Sequence, residues 1–378
     1  MRGQVYHCVG VRRTACMNLI KDIHFREISR PLRTVFSTSL GRKHCARSVI
    51  VRVGFDCGGQ RESSFGEVPT SFAIRNETIP AIKRVLDKVV PDLVGTPVHE
   101  YPEKIRSLRK RFRTTPMTMS GLETALFRAS LTCKGVCEHA FWGGRLQRLE
   151  TDITIPFITE DDVLNKWLRF AAGKRFRTFK LKVSGNLADD SRLIGAVQRF
   201  LNDHTDRFVL RLDGNQGYRR NTFQRFIDAI EKHQYKIELI EQPLPKGDYD
   251  GLAYVRDRSP VPIILDETVF DTEDLAAAVR YGLGDGINIK FAKSGIAESA
   301  DMIKMARKHR LKLMVGCMTE TMVGLSAGIF CAAGTGDFDY IDLDSIHFLH
   351  HRNNFDPIKI DGPQLIIDPS PRTGKTIT

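Results

Sequence analysis

The sequence predicts an α/β protein built on a barrel of serial βα units, with a smaller α+β domain in front of it. Three observations carry this reading. From about residue 150, short β-rich runs alternate with amphipathic helical stretches. Measured between strand ends the repeat is about 24 to 31 residues, the length of one βα unit. Nearly every run closes on a charged residue, and strand C-termini are where a βα barrel keeps its chemistry. A doubly wound open sheet would want a Gly-rich phosphate turn after its first strand, and the sequence has none there.

Residues 1–16 carry Arg2, Arg12 and Arg13, with no acid before Asp22 and no long apolar core of a secretory signal. Met17 opens a more ordinary start, so 1–16 is expected to be an extension, either non-native or a targeting segment. In residues 17–140 the runs LIKDIHFREIS and SVIVRVGFD, with a Gly-containing turn at Cys57 to Gln60, predict strands. NETIPAIKRVLDKVV and GLETALFRASLTC predict helices, giving an α+β domain. Residues 141–350 hold the strand runs LETDITI, TFKLKV, FVLRLD, IELIE, PIILDE, GINIK, LKLMVGC and DYIDLD. Helical patterns such as DDVLNKWLRFAAG and DDSRLIGAVQRFLNDH separate them. The segment 351–378, with PIKIDGPQLIID, has the strand-and-turn character of a tail returning to the first domain.

At 378 residues and 42% hydrophobic, the chain can bury a large core. No apolar run approaches the roughly 18 to 20 residues of a membrane helix, so no membrane partner is expected. The formal charge of +12 raises the question of a polyanion. Its densest basic run, Lys104 to Arg113, reads as the solvated side of a helix, and no zinc spacing or basic zipper accompanies it. No nucleic-acid partner is therefore expected. Eight scattered cysteines without paired CxxC spacing read as reduced thiols of a cytoplasmic protein.

The strand ends supply a constellation. Lys180 and Lys182 close the second run, Asp213 the third, Glu241 the fourth, Asp266 the fifth and Lys290 the sixth. Glu320 follows the seventh, and Asp342 with Asp344 close the eighth. Singly each has a plain explanation: Asp213 before Gly214 as a turn former, Glu241 as an exposed strand end, Asp266-Glu267 as a helix cap. Together, three carboxylates on consecutive strands meet at one barrel mouth, where uncompensated negative charge is unfavourable. A divalent cation answers it. Three carboxylate oxygens suit Mg²⁺, which keeps positions for water and a substrate carboxylate, while zinc would want His or Cys. Lys180 and Lys182 share one strand face, and a cation beside them would lower Lys182 toward a neutral base.

These motifs resemble the enolase superfamily and, within it, the muconate-lactonizing subgroup: Lys180-x-Lys182, Asp213 with Asn215 in LDGNQG, Glu241 in EQP, Asp266-Glu267 in LDE and Lys290 in NIK. The resemblance covers nearly the whole chain from Met17. It implies a (β/α)7β TIM-like barrel with an α+β capping domain formed by the N-terminal region and the C-terminal tail. It further implies one Mg²⁺ per subunit on Asp213, Glu241 and Asp266, supported by Asn215 and Glu267, with Lys182 and Lys290 as facing catalytic bases. A lysine on the sixth strand, instead of a His-Asp dyad, argues against the acid-sugar dehydratases of that superfamily.

DYIDLDSIHFL resembles the Asp-x-Asp signature of the dipeptide epimerases, in which Asp342 and Asp344 would hold a substrate ammonium group. GCMTET, with Met318 and Glu320, is similar to that group as well. The implied reaction is a Mg²⁺-dependent 1,1-proton transfer at the α-carbon of the C-terminal residue of a dipeptide, with Lys180 stabilising the enediolate. A capping-domain loop, Thr34 to His44, is expected to close over the substrate, with Arg42 or Lys43 in place of an arginine that reads glutamate in some relatives. Gly214 stands where that group usually has Ala. A homo-oligomer is expected. Muconate cycloisomerase and o-succinylbenzoate synthase or N-acylamino-acid racemase activities are the alternatives, and a noncatalytic binding protein is the rival of another class.

Overall fold

The computed structural model describes residues 18–205, 207–350 and 357–368. The extension expected at 1–16 lies outside the described residues. Strands β1 (Ile20–Thr38), β2 (Gly41–Cys57) and β3 (Gln60–Pro69) form an antiparallel meander. Its apolar face, with Val49, Val51, Val53 and Phe55, packs on a helix at Pro116–Lys134. Gly66 and Gly121 let β3 and that helix touch backbone to backbone, since a Cβ at Gly66 would overlap the Gly121 carbonyl. The basic run is the helix Tyr101–Arg111, which buries Ile105 and Leu108, turns Arg106, Lys110 and Arg111 outward, and pairs Arg109 with the buried Glu123 at 2.7 Å.

The hairpin of β1 and β2 runs much further than the sequence suggested. Residues 34–44, expected as a loop, are strand on both sides of a turn at Ser39-Leu40, with Phe36 paired to Lys43 and Ser37 to Arg42. A register shift between Pro31 and Phe36 bends the tip. There the Ser39 hydroxyl donates to the Asn215 carbonyl at 2.7 Å, seating the hairpin on the barrel.

Eight parallel strands make the barrel: β5 (Ile153–Ile155), β6 (Thr178–Lys182), β7 (Val209–Asp213), β8 (Ile237–Glu241), β9 (Ile263–Leu265), β10 (Gly286–Ile289), β11 (Lys312–Gly316) and β12 (Tyr340–Asp342). They follow one another in sequence order around the sheet, and the Asp152 amide reaches the Ile341 carbonyl across the seam between β12 and β5. Helices such as Asp161–Gly173, Leu187–His204 and Ile296–Lys308 cover the outside. The expected run LETDITI divides in two. Its first half is β4 (Arg148–Glu150), which leaves the barrel to pair with the tail hairpin of β13 (Ile358–Asp361) and β14 (Gln364–Ile367). The tail thus forms its own three-stranded sheet with β4 and does not extend the β1–β3 sheet. None of the helices among the described residues is long and apolar enough to cross a membrane.

The two units are stitched together. Glu67 of β3 accepts from the Thr321 hydroxyl at 2.6 Å and from the Thr321 and Gly324 amides at 3.1 Å. Those donors form the N-terminus of the barrel helix Met322–Thr335. Arg128 of the long cap helix donates to the Val323 carbonyl at 2.8 Å and to the Ser326 hydroxyl at 2.8 Å.

Candidate active site

Register alone brings the charged residues together. Lys182 pairs with Asp213 and Asp213 with Glu241 across β6, β7 and β8, so their side chains emerge side by side into the barrel. Asp266 and Lys290 follow directly after β9 and β10. Lysines and carboxylates then interleave. Lys182 Nζ lies 2.5 Å from Asp213, Lys180 Nζ 3.1 Å from Glu241, and Lys290 Nζ 2.7 Å from Asp266 and 3.9 Å from Glu241. Lys180 also ion-pairs with Asp342. All of these groups are buried.

Sequence reasoning missed Lys293, which is wholly buried and donates to both the Asp266 side chain and its carbonyl at 2.6 Å. The run NIKFAKS carried the signal, because a lysine three residues after Lys290 on a helical turn faces the same way. Burial opposes ionisation of Asp213 and Asp266, but Lys182 and Lys180 for the first, and Lys290 and Lys293 for the second, outweigh it and hold both below the usual carboxylate range. Glu241 goes the other way, raised by burial and by Asp213. Burial also works against the charge of Lys290, yet Asp266 and Glu241 raise it above an ordinary lysine. Lys180 is raised in the same manner by Asp342 and Glu241.

Beside this cluster stand Asn215 and Glu267, joined by a hydrogen bond of 3.3 Å. Asn215 Oδ1 and Glu267 Oε2 are buried without a hydrogen-bond partner. Burial, then Asp266 and Asp213, push Glu267 up to about 8. Unpartnered buried polar atoms beside these three carboxylates fit the oxygen donor set of a hydrated divalent cation.

A second acidic group lies across the barrel. Asp152, Asp342 and Asp344 bring oxygens within 4.8 Å of one another, all buried. Asp344 accepts from the Thr154 amide at 2.5 Å, and burial followed by Asp342 raises it to about 6. Asp152, unforeseen in the sequence, is held by Arg211 at 2.9 Å beneath Asp342. An acid inside an otherwise apolar run was the only hint.

The cap forms one wall of the cavity, which measures about 80 Å³. Phe36, Lys43 and Phe72 line it from that side, facing Lys182, Lys290, Asp342 and Asp344, with Met318 at the rim. Lys182 Nζ sits 5.8 Å from the centre of the Phe36 ring. Arg42 points to solvent instead, because neighbours on a strand face opposite ways. Glu320 lies behind the cavity wall, where its side chain accepts from the Met318 amide at 3.0 Å, and burial followed by Glu67 raises it to about 8.

A (β/α) barrel whose strand ends interleave lysines with carboxylates under an α+β cap defines an enzyme of the enolase superfamily. The chain belongs to the enolase C-terminal domain-like family, which matches residues 162–374. It is 30% identical to the L-Ala-D/L-Glu epimerase of Bacillus subtilis over 87% of this chain and 88% of that one. It is 29% identical to the aromatic dipeptide epimerase of Herpetosiphon aurantiacus over 87% of this chain and 91% of that one. Among solved structures, the Enterococcus faecalis dipeptide epimerase complexed with Mg and L-Leu-L-Tyr superimposes with a TM-score of 0.83 at 25% identity, covering 93% of this chain and 97% of that one.

Proposed function

We propose that the protein epimerises dipeptides by a Mg²⁺-dependent 1,1-proton transfer at the α-carbon of the C-terminal residue. The observation that carries this is the pairing, in one cavity, of two lysines among carboxylates with a separate pair of acids. Lys182 and Lys290 approach from different sides of the barrel, so one takes the α-proton and the other returns a proton to the opposite face of the same carbon. Asp342 and Asp344 bring two carboxylates to one neighbouring cation, the Lys180 ammonium paired with Asp342, and so have capacity left for a substrate ammonium group. Asp213, Glu241 and Asp266 are the residues that would hold Mg²⁺, with Asn215 and Glu267 as polar supports. Held by these residues, Mg²⁺ would supply positive charge to a substrate carboxylate and its enediolate, and would offset the carboxylate charge of Asp266 and Glu241 that raises Lys290. Lys180 remains charged and adds to the positive field around that enediolate. The cap hairpin keeps water from the reacting carbon. The named relatives, one of them complexed with Mg and a dipeptide, support the reading.

A screen of dipeptide mixtures in D₂O by mass spectrometry tests it. Deuterium is expected at the α-carbon of the C-terminal residue, with inversion, in the presence of Mg²⁺. If no dipeptide takes up deuterium, the reading fails.

A further inference from the structure

Strand β2 starts at the hairpin tip over the barrel and ends at Cys57, at the opposite edge of the cap. A two-residue turn, Gly58-Gly59, then carries the chain into β3, with Cys57 paired to Gln60. Both glycines hold positive φ, 58° and 86°, as that tight turn requires. The long cap helix Pro116–Lys134 brings its last turn, with Cys133, to the same corner. Each thiol there reaches the backbone of the other. Cys57 Sγ donates to the Thr132 carbonyl at 3.8 Å, and Cys133 Sγ to the Asp56 carbonyl at 4.0 Å. The acceptors are the residues directly before Cys133 and Cys57, so the contact is reciprocal, and a thiol–thiol hydrogen bond joins the pair.

Both side chains are half-buried at the edge of the cap core, so solvent reaches them. Disulfide closure is geometrically demanding and fails where two side chains point apart; here they point at each other. Burial, followed by the neighbouring Cys57, pushes the Cys133 thiol up to about 12. Cys133 therefore keeps the proton of the pair, and Cys57 is the sulfur available to attack. We propose that Cys57 and Cys133 form a modification site, which a small-molecule disulfide such as oxidised glutathione converts to a disulfide stapling the end of β2 to the long cap helix. The Cys57 thiolate attacks one sulfur of the reagent and expels its first thiolate; the Cys133 sulfur then attacks Cys57 in the mixed disulfide and expels the second. The two cysteines lose two electrons, the reagent gains them, and the two thiol protons leave with the two released thiols. The staple closes a long loop of the cap, which restricts its unfolded chain.

The site stands apart from the epimerase reading and is tested without a substrate. Folded wild-type protein is incubated with oxidised glutathione, the remaining thiols are alkylated, and a tryptic digest is read by mass spectrometry. Cleavage after Arg52, Arg61, Arg128 and Lys134 isolates each cysteine in its own peptide, 53–61 and 129–134. These two peptides should appear joined by a disulfide, and the melting temperature should rise by about 5 °C or more. Dithiothreitol should reverse both changes. Cys57→Ser and Cys133→Ser, nearly isosteric with the thiols they replace, should melt with the reduced wild type and show neither the link nor the rise. Separate glutathione adducts on the two peptides without the link, a link that forms only after unfolding in urea, or a link that leaves the melting temperature unchanged overturns the proposal.

Discussion

Glu67 offers the most quantitative test of how the cap is coupled to the barrel. Its buried carboxylate accepts from the Ser48 hydroxyl at 2.7 Å, the Thr321 hydroxyl at 2.6 Å, and the amides of Thr321 and Gly324. In Glu67→Ala the two hydroxyls can rotate toward other acceptors, but the amides are fixed by the backbone and lose theirs. An unsatisfied buried donor costs about 1–3 kcal/mol, so the pair costs about 2–6 kcal/mol. Loss of a negative charge at the N-terminus of the Met322–Thr335 helix adds up to about 1 kcal/mol. Glu67→Gln keeps one carbonyl oxygen and should lose about half as much. Urea unfolding measures the total, and hydrogen exchange at the Thr321 and Gly324 amides localises it. Because Met318 and Thr319 precede this helix and line the cavity, KM should rise in both variants. A loss below about 1 kcal/mol in Glu67→Ala, with no faster exchange at Gly324, would refute the reasoning.

Chelation should abolish activity and Mg²⁺ restore it, with Asp213→Asn, Glu241→Gln and Asp266→Asn each crippling turnover; full activity of metal-free protein would sink the assignment. Lys182→Ala and Lys290→Ala should both end epimerisation, while each should still exchange the α-proton of a single stereoisomer in D₂O; normal epimerisation by either removes that lysine from the chemistry. N-acetylated dipeptides should be poor substrates, since acetylation forfeits charge-assisted hydrogen bonds of about 1.5–3 kcal/mol each; equal kcat/KM for free and acetylated forms would show that the ammonium is not read. The same contact makes a pH prediction. Asp344 is raised to about 6 and must be ionised to hold an ammonium, so kcat/KM for free dipeptides should fall as the pH drops through about 6, and Asp344→Asn should flatten that limb.

The barrel was legible because its strands are short, regularly spaced and closed by charges, and strand alternation then fixes which side chains face inward. That logic reached Asp213, Glu241, Asp266, Lys180, Lys182 and Lys290 without tertiary information. It failed where a residue's orientation depends on a distant partner. Residues 34–44 are rich in Ser, Thr and Gly and read as a loop, yet pairing across the hairpin makes them strands and decides that Lys43, not Arg42, enters the cavity. The split of LETDITI likewise depends on β14, more than two hundred residues later, which draws Arg148–Glu150 out of the barrel. Glu67 gave no sign of its role, because its partners Thr321 and Gly324 come from the far end of the chain.

The seating of the β1–β2 hairpin on the barrel has an evolutionary consequence. Proton transfer would be done by side chains on barrel strands, whereas another wall of the cavity, with Phe36 and Lys43, comes from a ribbon that rests on the barrel from outside, as Ser39 does at Asn215. Substitutions along the ribbon can therefore accumulate without disturbing the register that aligns Lys182 with Asp213 and Glu241. A lineage can in this way drift from one diet of substrates to another through single changes in the ribbon while its chemistry is inherited intact.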